Sequence, residues 1–173
     1  MNAKRLLLVA AGMLALTVVL PTDAQADGQS VTRIDCTFGV HLAFNPGISP
    51  AMEAIRITST APGPLSCQGT WGGRPVTGQG QVTFEGDAVG NCGGSSIDSV
   101  IRLVHPLAGG GRMEVDVPVR SGRAGMALYG QGSDPARPAS LIGTGTPDAG
   151  QDCQQVPITG IAAEGRTIFG PWR

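Results

Sequence analysis

The sequence predicts an all-β chain: a single antiparallel β-sandwich or closed β-barrel of about seven to ten strands, tied by two disulfides. Three observations carry this. The 27 glycines and 13 prolines fall at short intervals, which interrupts any long helix, since proline removes a backbone donor and glycine carries the largest backbone entropy. Between them lie short runs that alternate apolar and polar residues, the period of a strand with one dry and one wet face. Four cysteines, Cys36, Cys67, Cys92 and Cys153, all follow an export-type leader, and an even count in an exported chain points to disulfides because the compartment is oxidising.

The leader comes first. Lys4 and Arg5 are a basic start, Leu6 to Leu20 is an apolar run too short for a membrane span, and Ala24-Gln25-Ala26 places small residues at a cleavage position. Residues 1–26 are therefore expected to be a signal peptide and residues 27–173 a single secreted β domain, with no stable membrane span after cleavage. Removing Lys4 and Arg5 from the 12 basic residues and Asp23 from the 13 acidic ones leaves a net charge near −2. That balance offers no footprint for nucleic acid and no polybasic patch for an anionic membrane.

The strands follow in order. Val31 to Phe38 mixes β-branched and polar residues, while Ala54 to Thr58 and Gln81 to Glu85 alternate strictly. Ser96 to His105 reads as one strand, Gly109-Gly110-Gly111 as a flexible connection and Met113 to Arg120 as the return. In the return strand Met113, Val115, Val117 and Val119 share one face and Glu114, Asp116 and Arg120 the other. Pro118 cannot donate to a ladder, so its amide position must face an edge or a bulge. Shorter strands are expected at Gly125 to Gly130, Ala139 to Gly143 and Ile158 to Phe169, the last bent at Ala162 to Gly165. Ser49 to Arg56 opens like a helix but its β-branched continuation and Pro62-Gly63-Pro64 limit it to one turn.

The glycine-rich stretch Leu65 to Gly94 is a β segment on local chemistry. A phosphate loop needs G-x-x-x-x-G-K-S/T between a strand and a helix, and here no lysine and no helical period follow. The cysteines lie too far apart for the C-x₂₋₄-C knuckles of a zinc site. Both histidines, His41 and His105, fall in strand patterns and are expected to be exposed or half-buried, and no G-x-S-x-G elbow accompanies them. Glycosidases work with two carboxylates held on facing positions, and Glu114 and Asp116 do share a strand face, but alternating acids on the wet face of a strand are what solubility alone would produce. Asp134, Asp148 and Asp152 sit in loops without the D-x-D-x-D-G order of a calcium site. Of the aromatic residues with polar handles, Trp71, Trp172 and Tyr129, Trp71 in its glycine-rich setting is the candidate ligand-binding residue, in a chain only 4% aromatic.

Cys36-Thr37, then Leu42-Ala43-Phe44-Asn45-Pro46-Gly47-Ile48, then Leu65-Ser66-Cys67 and Asn91-Cys92 form an order that resembles a group of small secreted β-proteins of actinobacteria. In these an early cysteine precedes an F-x-P-G-L/I stretch and later cysteines mark strand ends. The resemblance implies export and a β fold, and it transfers no active site.

The expectation is a secreted, extracellular or cell-envelope protein that is monomeric, without catalytic residues, metal or cofactor, acting through its surface on an extracellular or cell-wall partner. The alternative is a carbohydrate- or lipid-binding protein, or a hydrolase, with a pocket inside the β-barrel. For the disulfides the expectation is nested, Cys67 with Cys92 and Cys36 with Cys153, the sequential pairing being the rival. N-terminal sequencing of the protein from culture supernatant is expected to return a chain beginning at Asp27; one beginning at Met1 contradicts the leader.

Overall fold

The structure, a computed structural model, describes residues 32–172. The leader expected over residues 1–26 and Val31, the expected start of the first strand, lie outside the described residues. Within them the chain is all-β and forms one antiparallel sheet of ten strands. These are β1 (Thr32–Ile48), β2 (Glu53–Ser59), β3 (Gly63–Trp71), β4 (Arg74–Pro75), β5 (Gly80–Asn91), β6 (Gly94–Pro106), β7 (Arg112–Ala124), β8 (Ala127–Gly132), β9 (Ala139–Pro147) and β10 (Ile158–Trp172). From β5 to β10 each strand pairs with the next. The ladder then closes, because β10 pairs β1 from Phe169 opposite Ile34 to Gly160 opposite Ala43. On its other side β1 meets β3 through Arg33 to Phe38 and β2 through Leu42 to Asn45, and both of these strands also pair β5. β2 and β3 thus share one place in a ring of pairings.

Side-chain alternation decides what the ring encloses. Ile34, Cys36, Val40, Leu42 and Phe44 of β1 and Met113, Val115, Val117 and Val119 of β7 are all buried in one core, as the alternating face of the return strand predicts. Burying each such side chain contributes about 1.5–3 kcal/mol. The opposite face carries ion pairs: Arg102 with Glu114, Arg120 with Asp98, Arg166 with Asp35, and Arg56 with Glu85 and Asp87.

Two irregularities shape the ring. Ala43 faces Gly160 but Ile48 already faces Ile158, so β1 carries extra residues that β10 lacks. They are the Phe44-Asn45-Pro46-Gly47 segment, where the Asn45–Pro46 peptide is cis and Gly47 packs so near β10 that an added Cβ would lie 2.9 Å from Thr159 Cγ2. Where β3 enters the ring, Gly63 is pressed onto β1, and a Cβ there would lie 1.9 Å from the Gly39 carbonyl oxygen. The bend expected at Ala162 to Gly165 leaves no break in the ladder. Pairing to β1 is continuous through those residues, and the register offset falls before Gly160 instead, where the extra residues of β1 force it.

Pro118 sits as its chemistry requires. It is opposite Val100 of β6, while its carbonyl accepts from Ser133 N at 2.9 Å, just past the end of β8. In an antiparallel strand a residue's N and O point to the same neighbour, so the missing donor faces the side where the β8 ladder has stopped.

The disulfides are sequential, Cys36–Cys67 and Cys92–Cys153, which corrects the nested expectation. β3 pairs β5 only from Gly63 to Leu65, and Cys67 lies directly opposite Cys36 across the β1–β3 ladder, with 4.1 Å between their Cα atoms. Cys92 follows the far end of β5, the length of that strand away from Cys67, roughly 40 Å at about 3.3 Å per residue. Cys92 reaches instead across the end of the ring to Cys153 in the loop between β9 and β10, which holds the left-handed φ of 70°. Non-reducing peptide mapping is expected to join Cys36 to Cys67 and Cys92 to Cys153. Replacing Cys92 and Cys153 together by alanine is expected to lower the unfolding free energy by about 4 kcal/mol in the chain-entropy model, measured by denaturant titration.

Candidate functional site

Three places could carry chemistry: the interior, a hydrogen-bonded chain on the outer face of β1, and a groove over β7 to β9. The interior is lined by apolar side chains from nearly every strand, Phe38, Phe44, Ile57, Phe84 and Ile101 among them, and its free volume is about 40 Å³. Ligand pockets run from about 300 Å³ upward. The ring is filled by its own side chains.

Two ionisable side chains nevertheless lie inside among the described residues. His105 is fully buried, which corrects its expected exposure. It continues the inward series Ile97, Ser99, Ile101 and Leu103 at a spacing of two, so the strand period itself sends it inward. Its Nδ1 lies 3.1 Å from the Pro106 carbonyl while its Nε2 has no partner, and it packs where Gly80 leaves room, a Cβ there being 2.5 Å from His105 Cδ2. Arg123 is 4% exposed. Arginine is ordinarily a surface residue, but the same period, run on from Met113 through Val119, reaches Ser121 and Arg123. Its guanidinium donates to the carbonyls of Asn91, Gly125 and, at 3.4 Å, Cys92, tying the β5–β6 turn to the β7–β8 turn. Burial pushes its pKa below the ordinary arginine value.

On the outer face the structure joins two residues that the sequence treats separately. His41 Nε2 lies 2.8 Å from Asp148 Oδ1, and His41 Nδ1 lies 3.3 Å from Thr60 Oγ1. With Nε2 protonated and donating to the carboxylate, Nδ1 is an acceptor for the threonine hydroxyl, which is the order hydroxyl, imidazole, carboxylate. Gly160 makes the approach possible, since a Cβ on it would lie 2.2 Å from Asp148 Oδ2. Both ionisable members stand in solvent, their side chains 42% and 41% exposed. Water at such a site screens the field that activates a base and competes for any developing oxyanion. The chain fastens the β2–β3 link and the β9–β10 loop to β1.

The other acids also have local duties. Glu114 and Asp116 both face Arg102, Asp116 at 3.9 Å, and Glu114 takes Arg112 as well at 3.3 Å. These arginines hold the Glu114 carboxyl below the usual carboxylate range, the hydrogen bond from Arg102 first among the causes. Asp134 accepts from Ala136 N within its own turn. Among the described residues no three of histidine, cysteine, aspartate and glutamate gather as a metal-binding group.

Trp71, the candidate ligand residue, ends β3 half-buried against the core. Among the described aromatic residues, Tyr129 is the one turned to solvent, 55% exposed beside Ile142 at 63%. The two are direct partners across β8 and β9. Tyr129 leans over its other neighbour, Gly122, where a Cβ would lie 2.6 Å from the phenol oxygen. They stand in a shallow groove of about 610 Å³ edged by Ser96, Arg120, Gln131 and Ser140. Compared with known proteins, the chain matches no protein-family model, no curated protein and no solved structure.

The loop that carries Cys153 is set by Asp152. Its Oδ1 accepts from Gln155 N at 2.8 Å and Val156 N at 3.0 Å, and these backbone bonds, that from Val156 foremost, lower its pKa from the ordinary 3.8. A lowered folded-state pKa stabilises the fold at pH above the unfolded value and loses that contribution as pH falls through the folded one. Limited proteolysis between residues 148 and 157 is therefore expected to be slow at neutral pH and to accelerate below pH about 4, and Asp152→Ala is expected to cleave quickly at both.

Proposed function

We propose that this chain is a secreted or cell-envelope protein without enzymatic activity that acts as a monomer, through its outer surface, on an extracellular or cell-wall partner. The observation that carries this reading is the filled interior: with about 40 Å³ free inside the ring, a ligand of ordinary size has no place there, so recognition falls to the outside. The alternative of a carbohydrate, lipid or hydrolase pocket within the ring requires several times that volume.

Other features support the same reading. Two disulfides suit an oxidising compartment, and the resemblance to small secreted actinobacterial β-proteins points the same way. No helix among the described residues is long and apolar enough to cross a membrane. The outward faces of β2, β5, β6 and β7 carry arginine and acid pairs, the reverse of the apolar outer band of a membrane-spanning barrel. On that charged exterior the groove around Tyr129 and Ile142 is the part best suited to contact, since exposed aromatic and aliphatic side chains ringed by polar groups are the usual centre of an interface.

The test is retention of the tagged mature protein by cell-wall and spent-medium fractions, compared with a Tyr129→Ser, Ile142→Ser variant. Retention by the native chain and binding weakened about tenfold or more in the variant is the expected outcome. Equal retention of both contradicts the assignment of the groove. Turnover of an ester, peptide or glycoside by the purified protein, abolished by a point substitution at His41, contradicts the non-enzymatic reading.

A further inference from the structure

The charge inside the ring lacks a counter-charge. Arg123 is 96% buried by its 4% exposure, and none of the ion pairs formed among the described residues involves it. Its three bonded partners are backbone carbonyls, which carry dipoles and no net charge, and its Nε is buried with no partner at all. A full positive charge and an orphaned donor in apolar surroundings are both costly. The neighbours on the inward face are donors too. Ser95 is the direct partner of Arg123 across β6 and β7, Ser121 lies two residues before Arg123 on the same face, and all three line the interior cavity.

We propose that this end of the interior binds one monovalent anion of halide size, with chloride its physiological occupant, held by Arg123 Nε and the hydroxyls of Ser95 and Ser121. The chemistry of the site selects the class. The guanidinium has donors only, and the two hydroxyls can turn their hydrogens toward the same point, so an acceptor carrying negative charge is the complementary ligand. One positive charge is neutralised by one negative charge, and the second charge of sulfate or hydrogen phosphate would itself stand uncompensated among Leu128, Ile97 and Ile161. Free space of about 40 Å³ is room for a small ion or a water and is well short of the roughly 300 Å³ of an ordinary ligand pocket. Water would satisfy Nε and leave the charge unanswered.

The experiment combines crystallography with solution stability on the oxidised protein. Crystals soaked in bromide should show an anomalous peak within hydrogen-bond distance of Arg123 Nε. The thermal midpoint should rise with chloride relative to gluconate at matched ionic strength and saturate as a single site does. A Ser95→Ala, Ser121→Ala variant, which keeps the arginine and its carbonyl bonds, should need about tenfold or more chloride for half the effect, since hydrogen bonds to a charged group are among the stronger ones. Arg123→Gln should abolish the effect. No bromide peak at Arg123, with water or nothing in its place, overturns the proposal. So does a chloride dependence that the double serine variant leaves unchanged.

Discussion

The pairing of the first strand with the last is the constraint on which the rest depends. A sheet that ended at β10 would expose a long row of unpaired amides and carbonyls on it and another on β1, a template for association. Once β10 lies along β1 from Ile34 to Ala43, both rows are used at once, and the backbone has only two directions left for its side chains. Alternation then sorts every residue without further instruction. Even the places where the alternation slips serve the closure, since the extra residues of the Phe44 to Gly47 segment bring β1 back into register with the start of β10 at Ile158.

A closed and filled ring is unforgiving toward polar groups that the alternation sends inward. His105 and Arg123 are such groups, and the structure treats them differently. The histidine needs no charge, and a carbonyl on one nitrogen together with the space left by Gly80 accommodates it. The arginine cannot be discharged, so it is used as a tie between two turns, and its Nε is left buried without a partner. The two disulfides act at opposite ends of the same ring: one staples β1 to β3 where β3 leaves β5, and the other holds the β9–β10 loop against the β5–β6 turn.

Much of this is legible in the sequence, and the limit is physical. Period-2 alternation showed the strands and their dry faces, because these depend on neighbours two residues apart, and the missing donor of Pro118 showed that its amide faces an edge or a bulge. Continued two steps past Val119, the same rule also contained the burial of Arg123, which the habit of placing arginine on surfaces concealed. The disulfide pairing was not legible, because it depends on β3 leaving β5 after a short ladder and crossing to β1, a matter of which distant strands are neighbours. The Thr60, His41 and Asp148 chain was hidden for the same reason. Its members come from three segments: the β1–β2 ladder, with Ser59 opposite Leu42, brings Thr60 to His41, and the β1–β10 ladder, with Gly160 opposite Ala43, brings Asp148. Trp71 packs half-buried against the core while Tyr129 stands in solvent, since exposure is set by which face of the ring a residue occupies and not by the glycines around it.

The central claim is that the sheet closes through β1 and β10 around a filled interior. Native-state amide hydrogen exchange tests it most directly. Closure predicts that the ladder amides of β1 and β10 between Ile34 and Ala43 and between Gly160 and Phe169 exchange as slowly as those of the β5–β6 and β6–β7 ladders, through global unfolding alone. Fast exchange along β1 and β10, with the β5–β6 and β6–β7 amides still protected, would show an open sheet and contradict the account.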